Sequence, residues 1–130
     1  MTLDGLRSVS IVIEISCHCG AVHLEVEVAP THVTDCNCSL CRRYGVLWAY
    51  YSPRQVHATQ PPGATHIYMW GARSIEFHRC ATCGCATHWA AVDRARDRMG
   101  VNARLMTPEV LANAKVRRLD GADTWKYLNE

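Results

Sequence analysis

The sequence predicts a mainly β fold with very little helix, and three observations carry that reading. Apolar and polar residues alternate at period two through much of the first thirty residues, the pattern of half-buried strands. Further along, β-prone runs are short and bounded by turn residues such as Gln60-Pro61-Pro62-Gly63 and Gly71-Ala72-Arg73. The best helix start, Thr107-Pro108-Glu109, opens only a short segment ending near Lys115. With 130 residues and 14.6 kDa, the chain has room for one core. Residues 1–130 are therefore expected to form a single domain, its core spanning about residues 15–120.

Taken in order, Val9, Ile11, Ile13 and Ile15 alternate with Ser8, Ser10, Val12 and Glu14. After a tight Cys-His-Cys-Gly element, Val22, Leu24, Val26 and Val28 alternate with His23, Glu25 and Glu27, and Pro30 closes the run. These two strands are expected to pair as a hairpin with the cysteines at its turn. Val46 to Tyr51 is aromatic and β-prone, and Ser52-Pro53 ends it. His66 to Trp70 and Ser74 to Arg79 flank a predicted hairpin turn. Thr87 to Val92 and Val101 to Met106 read as two further strands, separated by the charged turn Asp93 to Arg98. At Thr107 a hydroxyl caps the helix, with proline at the first helical position and an acid in the first turn. Val116 to Leu119 reads as a last strand before Asp120-Gly121 turns the chain.

Composition narrows the function. Hydrophobic residues make up 48% and charged residues 20% of the chain, as in a globular protein. No apolar run approaches the ~18 residues of a membrane span, and Met1 to Ser10 lacks the apolar core of a secretory signal. A cytoplasmic protein without membrane partners is expected. The outlying feature is eight cysteines. A reducing compartment favours metal binding over disulfides for such a chain. The formal charge of +2 counts every thiol as neutral; seven thiolates around two Zn²⁺ would bring it to about −1. Net basicity therefore gives no support to a nucleic-acid partner.

The cysteines fall in three knots: Cys17-His18-Cys19-Gly20, Cys36-Asn37-Cys38-Ser39-Leu40-Cys41, and Cys80-Ala81-Thr82-Cys83-Gly84-Cys85. Cysteines two or three residues apart in a turn can aim their sulfurs at one ion, with Zn–S near ~2.3 Å. Cys80-x-x-Cys83-Gly84 has the form of a zinc knuckle, in which glycine lets backbone amides turn toward sulfur. A closed structural site wants four ligands, so Cys17 and Cys19 need a second pair, and Cys80 with Cys83 is the natural one. That site would bridge the 62 residues between Cys17 and Cys80, clamping an early hairpin to a late one. Cys36, Cys38 and Cys41 are then left as a three-sulfur site with a vacant position, the arrangement of a catalytic metal.

These residues carry a resemblance. Cys17-x-Cys19-Gly20, Cys36-x-Cys38-x-x-Cys41-Arg42-Arg43 and Cys80-x-x-Cys83-Gly84, in this order, resemble the glutathione-dependent formaldehyde-activating family. Gly100-Val101-Asn102-Ala103-Arg104 also looks like a segment of that family. The resemblance implies an Mss4-like zinc-bound β-sheet fold, two zinc ions per chain divided as above, and carbon–sulfur lyase chemistry that joins glutathione to formaldehyde. Cys85 departs from the pattern, since Ser or Thr is frequent at that position. It can be read as a spare buried thiol, a fourth ligand for the three-cysteine zinc, or a redox partner.

The chemistry fits the donors. Three thiolates make zinc a poor Lewis acid for water but a suitable host for a visiting sulfur, and thiolate is the nucleophilic form of a thiol. A peptide thiol brings carboxylates, so Arg42 and Arg43, directly after Cys41, are the expected substrate-binding residues. His18, His78 and His88 are expected to be supporting or surface histidines rather than proton shuttles. Trp48, Tyr50 and Tyr51 can serve either a pocket wall or a strand core. Two competing readings stay open. A non-catalytic zinc module for protein interaction would close the second site with Cys85 or a histidine. A thiol redox enzyme of the methionine sulfoxide reductase kind would need a reactive cysteine outside the zinc tetrad.

Overall fold

The computed structural model of the protein describes residues 12–128, and the architecture is mainly β. Val9 and Ile11, expected in the first strand, lie outside the described residues. Strands β1 (Ile13–Ser16) and β2 (His23–Val26) form the expected antiparallel hairpin around the first cysteine knot, and β5 (Val56–Thr59) extends it to three strands. The larger sheet contains β3 (His32–Cys36), β4 (Trp48–Tyr51), β6 (Thr65–Tyr68), β7 (Ile75–Cys80), β8 (Ala86–Ala91), β9 (Met99–Asn102) and β10 (Lys115–Leu119). Its order is β10-β3-β4-β9-β8-β7-β6. The β10–β3 pair is parallel and the remaining pairs are antiparallel. No helix among the described residues is long and apolar enough to cross a membrane.

Two short helices complete the fold. α1 (Cys41–Tyr44) is one turn inside the middle knot, stopped by Gly45 in the left-handed region at φ 69°. α2 (Pro108–Ala112) starts where expected, with the Val110 amide donating to Thr107 Oγ1 at 3.4 Å. It ends sooner than Lys115, because Asn113 caps it and the chain enters β10. The strand expected through Met106 also stops early: β9 ends at Asn102 and a 3₁₀ turn covers Ala103–Leu105. There Asn102 Oδ1 accepts from the Arg104 amide at 3.1 Å and bends the chain out of the sheet. β3 and β5 have no counterpart in the sequence reading. β3 buries the adjacent Val33 and Thr34, and β5 is mostly exposed, so neither shows strict alternation.

Alternation along the strands gives the large sheet two working faces. Ala49, Tyr51 and Val101 point to the small sheet and pack with Ile13, Ile15, Leu24 and Val26. Each aliphatic side chain buried there contributes roughly 1.5–3 kcal/mol. Trp48, Trp89 and Phe77 face the other way, onto Cys36, Cys38 and Cys41. Gly100 lies across from Trp89 in the β8–β9 pair. A Cβ at residue 100 would land on the Trp89 indole, so the glycine lets that ring lie flat on the sheet.

His88 and His78 stack between neighbouring strands, with ring centroids 4.3 Å apart and planes 12° from parallel. Burial, with His78 beside it, pushes the His88 imidazole down to about 3. The folded state thus holds His88 neutral while an unfolded chain protonates it below ~6.5. The contribution is complete above that pH and declines as pH falls toward the folded value, by up to ~1.4 kcal/mol per pH unit. His88→Gln is therefore expected to flatten the stability profile between pH 6.5 and 4, read as urea midpoints. A variant profile parallel to that of the unaltered protein would refute this.

A four-sulfur cluster and an open three-sulfur cluster

The turn of the β1–β2 hairpin and the turn between β7 and β8 bring Cys17, Cys19, Cys80 and Cys83 together. Their four Sγ atoms all lie within 4.8 Å of one another. The Cys17–Cys19 and Cys19–Cys80 sulfur distances are 3.7 and 3.6 Å, near the ~3.8 Å expected for tetrahedral zinc with Zn–S at ~2.3 Å. Gly20 and Gly84 each take a positive φ, 86° and 83°, which reverses the chain so that amides face sulfur. The Val22 amide donates to Cys17 Sγ at 3.3 Å, and the Thr82 and Cys83 amides each donate to Cys80 Sγ at 3.4 Å. Amides of Cys85 and Cys19 hold the Cys83 thiol down at about 5. Four convergent sulfurs, several of them serving as amide acceptors, fit a structural zinc.

Cys36, Cys38 and Cys41 form the second cluster, all three buried and again within 4.8 Å of one another. β3 ends at Cys36 and α1 begins at Cys41, so the knot is a strand-to-helix turn. The Cys41 amide donates to Cys38 Sγ at 3.3 Å, and the Trp48 indole N–H donates to Cys41 Sγ at 3.3 Å. Without a cation the sulfurs compete for one charge. A hydrogen bond from Cys41 brings Cys36 down to about 6, while sharing with Cys36 drives Cys41 far up. Holding all three as thiolates takes a cation, and the soft donor set suits zinc. Among the described residues, no fourth His, Cys, Asp or Glu joins the group.

In place of a fourth ligand there is a cleft of about 620 Å³, onto which the three cysteines open. Trp48, Tyr50, Phe77 and Trp89 line it from the sheet; Trp70 lines it from the β6–β7 turn and Trp125 from the segment after β10. Arg96 and Arg98, from the β8–β9 connection, also reach it. The Arg98 guanidinium lies 4.1 Å over the Tyr50 ring, and that of Arg96 lies 5.5 Å over Trp89.

The segment after β10 is tied to the middle knot. Asn37 Nδ2 donates to Asp120 Oδ1 at 3.0 Å, and the Ala122 amide donates back to Asn37 Oδ1 at 2.9 Å. A Cβ on buried Gly121 would sit 2.5 Å from Cys36 Sγ, so only glycine lets the backbone pass this close to the sulfur. Trp125 adopts a positive φ of 61°, and its amide donates to the Asp120 carbonyl at 2.7 Å.

The other candidates from the sequence are placed as follows. Arg42 and Arg43 are exposed on α1 and do not line the cleft; Arg43 instead donates to the Ser39 carbonyl at 2.8 Å. Arg96 and Arg98 hold the position expected of them, and the sequence reading missed both, taking Asp93 to Arg98 only as a charged turn. Their only signal was a run of basic residues between two strands. Cys85 packs beside Cys17 and Cys80, which removes it as a fourth ligand for the three-cysteine cluster. Trp48 and Tyr50 are cleft walls, whereas Tyr51 belongs to the core, donating its hydroxyl to the Val28 carbonyl at 2.9 Å. His18 is exposed, and His78 and His88 lie apart from the three cysteines. The Gly100–Arg104 stretch braces the site. Asn102 Nδ2 donates to the Ala86 carbonyl at 2.8 Å, its Oδ1 accepts from the Leu47 amide at 3.4 Å, and Arg104 Nε donates to the Gly45 carbonyl at 2.6 Å.

Comparison with known proteins agrees with this geometry. A solved crystal structure of a Rhodobacter sphaeroides protein is similar, with a TM-score of 0.65 and 29% sequence identity over 80% of this chain and 99% of that one. The family model described as glutathione-dependent formaldehyde-activating enzyme matches residues 12–117. That span contains both sulfur clusters and the Asn102 brace, and by it the chain belongs to the glutathione-dependent formaldehyde-activating enzyme family.

Proposed function

We propose that the protein is a carbon–sulfur lyase that adds a small thiol such as glutathione to a small aldehyde such as formaldehyde, at the three-cysteine cluster. The observation that supports this most is the difference between the clusters. One has four sulfurs, while the other has three sulfurs facing a cleft large enough for a small peptide. Zinc held by Cys36, Cys38 and Cys41 would supply a soft position that favours a visiting thiol in its thiolate form. Cys17, Cys19, Cys80 and Cys83 would hold the second, structural zinc.

The chain's own residues do the rest. Arg96 and Arg98 offer guanidinium edges to the carboxylates of a peptide thiol. Aromatic walls give the reacting sulfur a partly apolar surround, and a less hydrated thiolate is the stronger nucleophile. Trp48, donating to Cys41 Sγ, fixes that sulfur and spreads part of its charge. In the addition the C–S bond forms, the carbonyl π bond breaks, and the thiol proton ends on the former carbonyl oxygen. No oxidant or reductant is consumed. The test is exchange spectroscopy by NMR on glutathione and formaldehyde, with zinc-loaded protein at catalytic concentration. Accelerated interconversion with S-hydroxymethylglutathione is expected; a rate equal to that in buffer overturns the proposal.

A further inference from the structure

The walls of the cleft are far more aromatic than a one-carbon aldehyde requires. All four tryptophans of the chain line it, together with its single phenylalanine. Trp48 and Trp89 are buried, but Trp70 and Trp125 remain 42% and 68% exposed at its edge. They come from two separate loops, and exposed indoles grouped on one cavity are the mark of a surface awaiting a flat apolar group. The backbone of Trp125 sits in the left-handed region, which a non-glycine residue occupies at a cost of about 1 kcal/mol or more. Asn37 and Asp120 hold that loop in place.

Charge points the same way. Among the described residues, Arg96 and Arg98 have no carboxylate partner. The neighbouring acids are engaged elsewhere: Asp93 accepts from the Ala95 amide, Asp97 pairs with Arg54, and Asp120 is bound by Asn37 and Thr124. Two guanidiniums laid on ring faces keep their N–H edges available for an anion. A ligand that satisfies both features has an aromatic ring and an acidic substituent.

We infer that the ligand class of this cleft is an aromatic acid, and that the carbonyl substrate is an aryl aldehyde carrying a carboxylate rather than formaldehyde alone. The ring lies among Trp70, Trp89 and Trp125 and the carboxylate meets Arg98, which leaves Arg96 to a carboxylate of the peptide thiol. The carbonyl is thereby directed toward the three cysteines. The identification of the aldehyde rests on the proposed thiol addition; the ligand class rests on the cleft itself. The addition balances as before, with the C–S bond formed at the aldehyde carbon and the thiol proton passed to its oxygen.

The test is a tryptophan-fluorescence titration of full-length, zinc-loaded protein without thiol. The probes are 4-carboxybenzaldehyde, its unreactive analogue 4-(hydroxymethyl)benzoate, neutral benzyl alcohol, and formate. Saturable quenching by both aryl acids is expected, with benzyl alcohol and formate at least ~10-fold weaker. Arg98→Met should weaken the aryl acids by about 10-fold and leave benzyl alcohol unchanged. Aryl acids that bind no better than formate or benzyl alcohol overturn the inference, and that comparison needs no variant. The two ideas separate cleanly. Accelerated addition of glutathione to formaldehyde without aryl-acid binding sinks the ligand class alone, while aryl-acid binding without accelerated addition sinks the lyase alone.

Discussion

Zinc-loaded protein carrying Cys17→Ser is expected to lose more than ~4 kcal/mol of stability, a size reserved for loss of metals, caps and core packing. Such a loss is a large part of the roughly 5–15 kcal/mol that holds a domain folded. It corresponds to a fall of about 10–20 °C in Tm for a chain of this length. The reason is topological. Cys19 and Cys80 are 61 positions apart yet their sulfurs lie 3.6 Å from each other, so one ion would close about half of the chain into a loop. Cys17 is itself 2% exposed, packs with Val22 and Cys80, and accepts the Val22 amide. A strong chelator should act as the mutation does, lowering the midpoint of the calorimetric transition by at least as much. An unchanged Tm in the presence of chelator would mean that this cluster holds no structural ion.

The second large effect falls on activity and spares the fold. Cys38→Ser is expected to reduce bound zinc from two equivalents to one and to slow thiol addition by ~10²-fold or more. Losing even an outer partner of a metal site costs 10–100-fold. Stability should move far less than with Cys17→Ser. Cys36, Cys38 and Cys41 are neighbours in one turn, so an ion there closes only a short loop. Zinc content, thermal melts and the exchange assay on the same preparation check this. A variant that keeps two zinc ions and full activity would place the chemistry elsewhere.

What was legible in the sequence was what depends on local pattern. The β1–β2 hairpin, the aromatic strand at Trp48–Tyr51 and the Thr107 cap followed from alternation and capping chemistry. The pairing of Cys17 and Cys19 with Cys80 and Cys83 followed from counting ligands, and the sulfurs do converge. β3 and β5 were hidden because their pairing is with strands far along the chain, β10 and β2, and leaves no strict alternation in their own residues. The cleft arginines were hidden for a related reason. Arg42 and Arg43 are close to Cys41 in sequence, but α1 turns them to solvent, while the β8–β9 connection brings Arg96 and Arg98 to the site across the sheet. Gly121 and Asp120 read as a plain turn, because nothing local reveals that Cys36 lies beneath them.

The two-faced large sheet has a consequence for how such a molecule can diversify. In β4, Trp48 and Tyr50 serve the cleft, while Ala49 and Tyr51 between and beyond them serve the packing against the small sheet. Odd and even positions of one strand thus answer to different demands. Residues lining the cleft can therefore change with little effect on the packing between the two sheets, so the character of the cleft can vary while the four-sulfur cluster stays fixed.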